Sequence, residues 1–293
     1  EMNYKSAQLC KQWADRVSND CGIKKYVAGS IGPLTVSLSQ SPDAEDAALR
    51  TVSFNQVVDA YIHQIEALIE GGSDILLVET IFDGLNAKAA SVAIKEVREK
   101  LKINIPIIYS AAVGMGGETM ISAMKIESFI NSFEHMKPLA LGLNCSLGPD
   151  PMRAPLWELS SKTDNYVSVF PNAGLPNPLV PSGFDLSPHD MAKYAGEFAA
   201  YGLINFVGGC CGNTPDHISA IAKEVKKHKP RQLPKIDPCL RLSGSEAYNH
   251  TEEKNFLMIG ERTNVAGSPR FSKLIKSNNL DDATRIARQQ VEN

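Results

Sequence analysis

Residues 139–145 read LALGLNC. The run is apolar without alternation until it ends on Asn144 and Cys145. A strand of that texture is buried on both faces, as in a parallel sheet covered by helices. Runs of the same kind lie at 25–30 (KYVAGS), 74–80 (DILLVET), 105–111 (IPIIYSA), 166–170 (YVSVF) and 204–209 (INFVGG). Between them apolar residues recur at helical spacing near 54–70, 84–101, 123–136, 151–162, 188–201 and 215–227. The strands are about one βα unit apart, which predicts an α/β fold built from repeated strand–helix units.

A (β/α)8 barrel needs eight such units. The chain opens and stops inside helical patterns, with SAQLCKQWADRV at the start and ARQQVEN at the end. It therefore reads as a fragment whose barrel lacks its first two strands. A doubly wound open sheet is the rival, but no G-x-G-x-x-G follows the first strand, which argues against a dinucleotide fold. Residues 1–229 read as this partial barrel. Residues 230–254, rich in proline and charge, read as a linker or extended crossover, and the basic run from Lys223 to Arg231 as a helix end with a solvated face. Residues 255–293 read as a second α/β unit: a strand and polar loop in FLMIGERTNVAG (256–267), then a helical stretch.

The chain has 293 residues, a formal net charge of −3, 43% hydrophobic and 22% charged residues. That balance gives no reason to expect nucleic acid or an anionic membrane as partner. No apolar run approaches the roughly 18 residues of a membrane span. The six cysteines are unevenly spaced in a long α/β chain, which fits free or metal-bound thiols in a reducing, cytoplasmic compartment.

Parallel barrels carry their sites at the carboxyl ends of the strands. Ser30, Glu79, Asn144, Cys145, Asn172, Cys210 and Cys211 all fall there. Three thiolates suit one zinc ion with a fourth position left open. Adjacent strand residues point to opposite faces, so Cys210 and Cys211 can share a metal only across a sharp turn, which Gly208, Gly209 and Gly212 permit. A disulfide between neighbours is strained. Buried structural cysteines are the alternative; Cys10, Cys21 and Cys239 fit that description, and His63, His135, His189 and His217 show no ligand spacing.

The stretches GLNCSLGP, PNAGLPN and VGGCCGNTPDHI resemble the zinc-dependent homocysteine S-methyltransferases, over about residues 1–230. VAGSIGP, VETIFDGLNAKAA and IGERTNVAGSPRFSKLIK are similar to the cobalamin-dependent members of that family, and the last resembles the start of the folate-binding barrel that follows the homocysteine barrel in them. The resemblance implies a (β/α)8 barrel with zinc on Cys145, Cys210 and Cys211, and Asn172 beside the metal, in the open position until substrate arrives. It also implies Glu79 as receiver of the homocysteine amino group and the backbone around Ser30 and Ile31 as receiver of its carboxylate. Glu261 and Asn264 would face a pterin. The implied methyl donor is methylcobalamin, held by a domain outside this chain and regenerated from methyltetrahydrofolate; the implied partners are homocysteine and the cobalamin and folate domains of the same longer chain. A betaine- or S-methylmethionine-dependent enzyme would share the thiols, and a non-catalytic metal or redox thiol protein is a third reading. One loop departs from the family pattern: YSAAVGMGGETMISAMKIES lacks the Gly-Thr and Gly-Gln that the family carries after its third visible strand.

Overall fold

The computed structural model describes residues 1–293 apart from 47, 181, 182, 258, 261 and 293, and the side chains of 291 and 292. The chain divides into two units, Glu1–Asn249 and His250–Asn293.

In the first unit helix α1 (Met2–Cys21) precedes six strand–helix repeats: β1 (Ala28–Ile31), α2 (Phe54–Glu70), β2 (Ile75–Ile81), α3 (Gly84–Leu101), β3 (Ile107–Ala111), α4 (Ile126–Phe133), β4 (Ala140–Asn144), α5 (Pro149–Lys162), β5 (Tyr166–Phe170), α6 (Pro188–Ala200), β6 (Phe206–Val207) and α7 (Pro215–Val225). A single 3₁₀ turn, Glu134–Met136, extends α4. The strands are all parallel and lie in chain order, β1-β2-β3-β4-β5-β6. That order excludes the doubly wound sheet, whose strand order must reverse at a switch point. Right-handed crossovers taken always in one direction put every helix on the same side. The sheet therefore curls away from its helices into a half-barrel, a partial barrel of the TIM type.

The predicted strands and helices fall close to their observed positions because burial dictates them. Every residue of β3 and β4 is buried. Ile65, Leu76, Ala89, Ile94, Phe129, Leu141 and Val167 form the core between sheet and helices. Tyr109 stacks on Phe133 at 4.7 Å and meets Ser91 Oγ at 2.8 Å, so its hydroxyl is satisfied within that core. Helix starts are marked by side-chain caps at Ser53, Asp83 and Ser187, and at Thr214 by His217 Nδ1, which accepts from the Thr214 N–H at 3.1 Å.

Residues 230–254 are more structured than their sequence implies. Arg231 belongs to no solvated face: it is 5% exposed and donates to Ser160 Oγ (2.8 Å) and to the carbonyls of Ser160 (2.7 Å), Thr163 (2.5 Å) and Asn165 (3.0 Å). The end of a helix leaves carbonyls without partners, and a guanidinium offers five donors in one plane. Strands β7 (Leu240–Ser243) and β8 (Ala247–His250) form a two-stranded hairpin. It docks on α4 through polar contacts, Ser128 Oγ to Gly244 O (2.6 Å), Asn131 Nδ2 to Leu242 O (3.0 Å) and Lys125 N to Ser245 O (2.9 Å).

The second unit contains α8 (Pro269–Lys276) and α9 (Leu280–Glu292), which pack on each other. The strand expected in 256–267 is not seen among the described residues. A lone parallel strand has no ladder to join, and the described residues of this stretch supply none. Gln290 Nε2 instead donates to Gly260 O at 2.6 Å.

Candidate metal centre

The chain leaves β4 through two successive left-handed residues, Cys145 (φ 59°) and Ser146 (φ 60°). That conformation is costly for residues with a Cβ and persists only where the surroundings impose it. Here Cys145 N donates to Phe170 O (3.2 Å), Leu147 N to Cys145 O (2.6 Å) and Asn172 N to Leu147 O (3.1 Å), which ties the turn to the end of β5. From the loop that follows β3, Met120 Sδ accepts from Ser146 Oγ at 3.3 Å.

Strand β6 stops at Val207, so Cys210 and Cys211 lie in a turn beyond it rather than on opposite faces of a strand. Cys210 N donates to Pro171 O (2.8 Å) and Asn213 N to Cys210 O (3.3 Å). Of the three flanking glycines only Gly212 takes the left-handed conformation, with φ 77°. A Cβ on Gly212 would lie 2.3 Å from the Phe184 ring, and one on Gly209 would lie 2.1 Å from the Asn213 side chain. Asn213 Nδ2 donates to Pro171 O at 3.0 Å and reaches the carbonyls of Cys210 and Cys211 at 3.4 Å. Asn213 is a clamp on the turn that the sequence reading missed; an asparagine just after Cys-Cys-Gly was the available signal.

These two turns bring three sulfurs together. Cys145 Sγ is 3.7 Å from Cys211 Sγ, Cys210 Sγ is 3.9 Å from Cys211 Sγ, and all three lie within 4.8 Å of one another. None forms a disulfide. Sulfurs about 2.3 Å from one tetrahedral zinc stand about 3.8 Å apart, so the spacing fits a shared ion with one position left for another ligand. Burial raises the Cys210 thiol to about 12, helped by the neighbouring thiols, and burial raises Cys211 as well. Three crowded thiols resist ionising together; a dication removes that penalty. Among the described residues no other group of His, Cys, Asp and Glu meets the same spacing.

Asn172 is 4% exposed, and its Oδ1 accepts from Cys211 N at 3.1 Å. Its side chain is therefore engaged with the turn that carries Cys210 and Cys211. Ser30 Oγ donates to Glu79 Oε1, and Ile31 is fully buried. The ladder between β2 and β3 shifts register between Val78 and Ile81, and Thr80 is left-handed at φ 56°. Glu79, Thr80 and Ile31 line a cavity of about 390 Å³ together with Gly32, Tyr61 and Asp83. Asp83 accepts from Ser37 Oγ (2.6 Å), Ser39 N (2.9 Å), Ser39 Oγ (2.5 Å) and Leu85 N (2.8 Å), so it fixes the loop after β1 onto the start of α3. Burial opposes its ionisation, but those hydrogen bonds outweigh it and hold the carboxyl below its ordinary range. Burial, with the Asp83 charge, pushes the Tyr61 hydroxyl up to about 12.

Of the residues expected to face a pterin, Glu261 lies outside the described residues. Asn264 Oδ1 accepts from Ala266 N at 2.9 Å, a local turn, and its side chain is exposed.

A family model for homocysteine S-methyltransferase matches residues 1–225. Among solved structures the chain is similar to the homocysteine methyltransferase MmuM from Escherichia coli. Its apo form aligns with a TM-score of 0.59 at 20% identity, over 76% of this chain and 73% of that one. Its metallated form aligns with a TM-score of 0.55 at 22% identity, over 75% and 69%. At such identity the structural likeness speaks for the fold, while the family match spans most of the chain. The chain belongs to the homocysteine S-methyltransferase family.

Proposed function

We propose that Cys145, Cys210 and Cys211 hold zinc and that the chain transfers a methyl group to homocysteine, giving methionine. The observation that carries this is the meeting of three sulfurs, delivered by the turns that follow β4 and β6, at a spacing that fits one tetrahedral ion. When bound, zinc supplies a Lewis acid that keeps a thiol substrate in its nucleophilic thiolate form at neutral pH. The metallated form of the MmuM structure is in keeping with a metal in this fold.

The protein's own groups bind and orient the amino acid. Glu79 offers a carboxylate to the substrate ammonium, and the backbone at Ser30 and Ile31 offers its polar groups to the substrate carboxylate. Asp83 and the serines it grips keep the cavity wall in place. Asn172 and Asn213 hold the cysteine turn in place. The substrate sulfur gains the S–CH₃ bond as the donor leaves with the electron pair of its own bond to that methyl. No general base on the protein is needed once the thiol proton has gone.

For the donor, the likeness of residues 259–276 to the start of a folate-binding barrel supports the homocysteine-binding part of a cobalamin-dependent methionine synthase. Methylcobalamin is then the donor and methyltetrahydrofolate its source, both carried by other domains of a longer chain. A betaine or S-methylmethionine donor is the second reading, favoured by the lack of a strand among the described residues of 256–267. The test measures zinc content and homocysteine methylation with methylcobalamin, betaine and S-methylmethionine side by side. Turnover with methylcobalamin supports the first reading and turnover with either other donor the second. A zinc-loaded protein that methylates homocysteine from none of them contradicts both.

A further inference from the structure

Asn144 is an anomaly in β4. The strand is otherwise apolar, and Asn144 is fully buried at its end. A buried amide must have its donors and acceptors met, and those of Asn144 are met from three directions. Its Oδ1 accepts from Thr80 N (3.0 Å) and Ser110 Oγ (2.7 Å). Its Nδ2 donates to Thr80 Oγ1 (2.8 Å) and faces Cys210 Sγ at 3.9 Å. The Thr80 N–H can only donate, so Oδ1 must face it and the amide cannot flip. The group turned towards sulfur is therefore a donor.

We propose that Asn144 is a positioning residue that donates an N–H to the Cys210 sulfur and thereby couples the metal centre to the kinked strand end carrying Glu79. The inference rests on the reading that the three cysteines hold a metal. Three thiolates outweigh the two charges of one zinc ion, and an N–H directed at one sulfur disperses part of the excess. The same amide holds the backbone N–H and the hydroxyl of Thr80, the left-handed residue that follows Glu79. Ser110, from β3, holds Oδ1 in place without touching a sulfur. Removal of either anchor should therefore reach the metal and the substrate cavity together.

The test uses Co²⁺, whose thiolate charge-transfer absorption reports the sulfurs directly, in the wild type, Asn144→Ala and Ser110→Ala, with zinc affinity from competition against a chromophoric chelator. The wild type is expected to bind one Co²⁺. Asn144→Ala should bind about 10- to 100-fold more weakly, the scale of lost outer-shell partners, with a displaced charge-transfer band. Ser110→Ala should displace the band in the same direction with a smaller loss. Folded variants with wild-type affinity and an unmoved band would overturn the inference. If Asn144→Ala does not fold, Ser110→Ala decides alone by the same criterion. A wild type that binds no metal would instead overturn the reading of the cysteines, and the inference with it.

Discussion

Cys145 Sγ and Cys211 Sγ lie 3.7 Å apart, although one residue follows β4 and the other follows β6. Neither reaches that position from a strand. Each is set there by a turn, left-handed at Cys145 and Ser146 in the first case and at Gly212 in the second. Metal affinity should therefore depend on the turns as well as on the sulfurs.

Replacing Cys145 or Cys210 by serine removes a soft ligand from a three-sulfur set. Zinc retention through gel filtration and homocysteine methylation should fall to background together in each variant. Methylation that persisted without zinc would contradict the activation argument.

Gly212→Ala puts a Cβ at φ 77° and against the Phe184 ring. Left-handed strain and overpacking together predict a loss of about 2–4 kcal/mol in urea unfolding, with weaker zinc binding. Gly208→Ala, whose Cβ would meet Phe170 at 3.1 Å without a left-handed backbone, should be the milder change in both measurements.

Asp83 gives a pH signature. Its carboxyl titrates lower in the folded protein than in the unfolded chain, so its contribution to stability is present above the unfolded value of about 4 and fades as pH falls through the folded value. Unfolding between pH 7 and pH 3 should show a steeper acid loss in the wild type than in Asp83→Asn. Asp83→Ala removes a helix cap and the anchor of the loop after β1, and should cost about 2–3 kcal/mol and raise the KM for homocysteine.

Arg231→Met leaves the buried contacts at the Ser160 and Thr163 carbonyls, and the part-buried one at the Asn165 carbonyl, without their donor. The expected cost is about 2–4 kcal/mol, measured by thermal or urea unfolding. An unchanged midpoint would mean that water satisfies those carbonyls.

The strands were legible because burial on both faces leaves mostly apolar residues, as in Ile107, Ile108, Leu141 and Val167. The thiol site was legible because cysteines at two strand ends are chemically conspicuous. The turn at Cys145–Ser146 was not, because nothing in either side chain favours a left-handed backbone; contacts from Phe170 and Asn172 impose it. Arg231 and the β7–β8 hairpin were hidden for a related reason. Their partners are backbone carbonyls and small polar side chains distant in sequence, which leave no periodic pattern. The strand expected in 256–267 is not seen among the described residues, in keeping with an apolar run needing a neighbouring strand to pair with.

The most direct test of the central claim is native mass spectrometry of the protein purified under reducing conditions, paired with sulfur-sensitive X-ray absorption at the zinc edge. The account predicts one zinc per chain bound by three protein sulfurs at about 2.3 Å, and no zinc after Cys210→Ser. A metal-free chain carrying a Cys210–Cys211 disulfide, or zinc bound without sulfur, would contradict it.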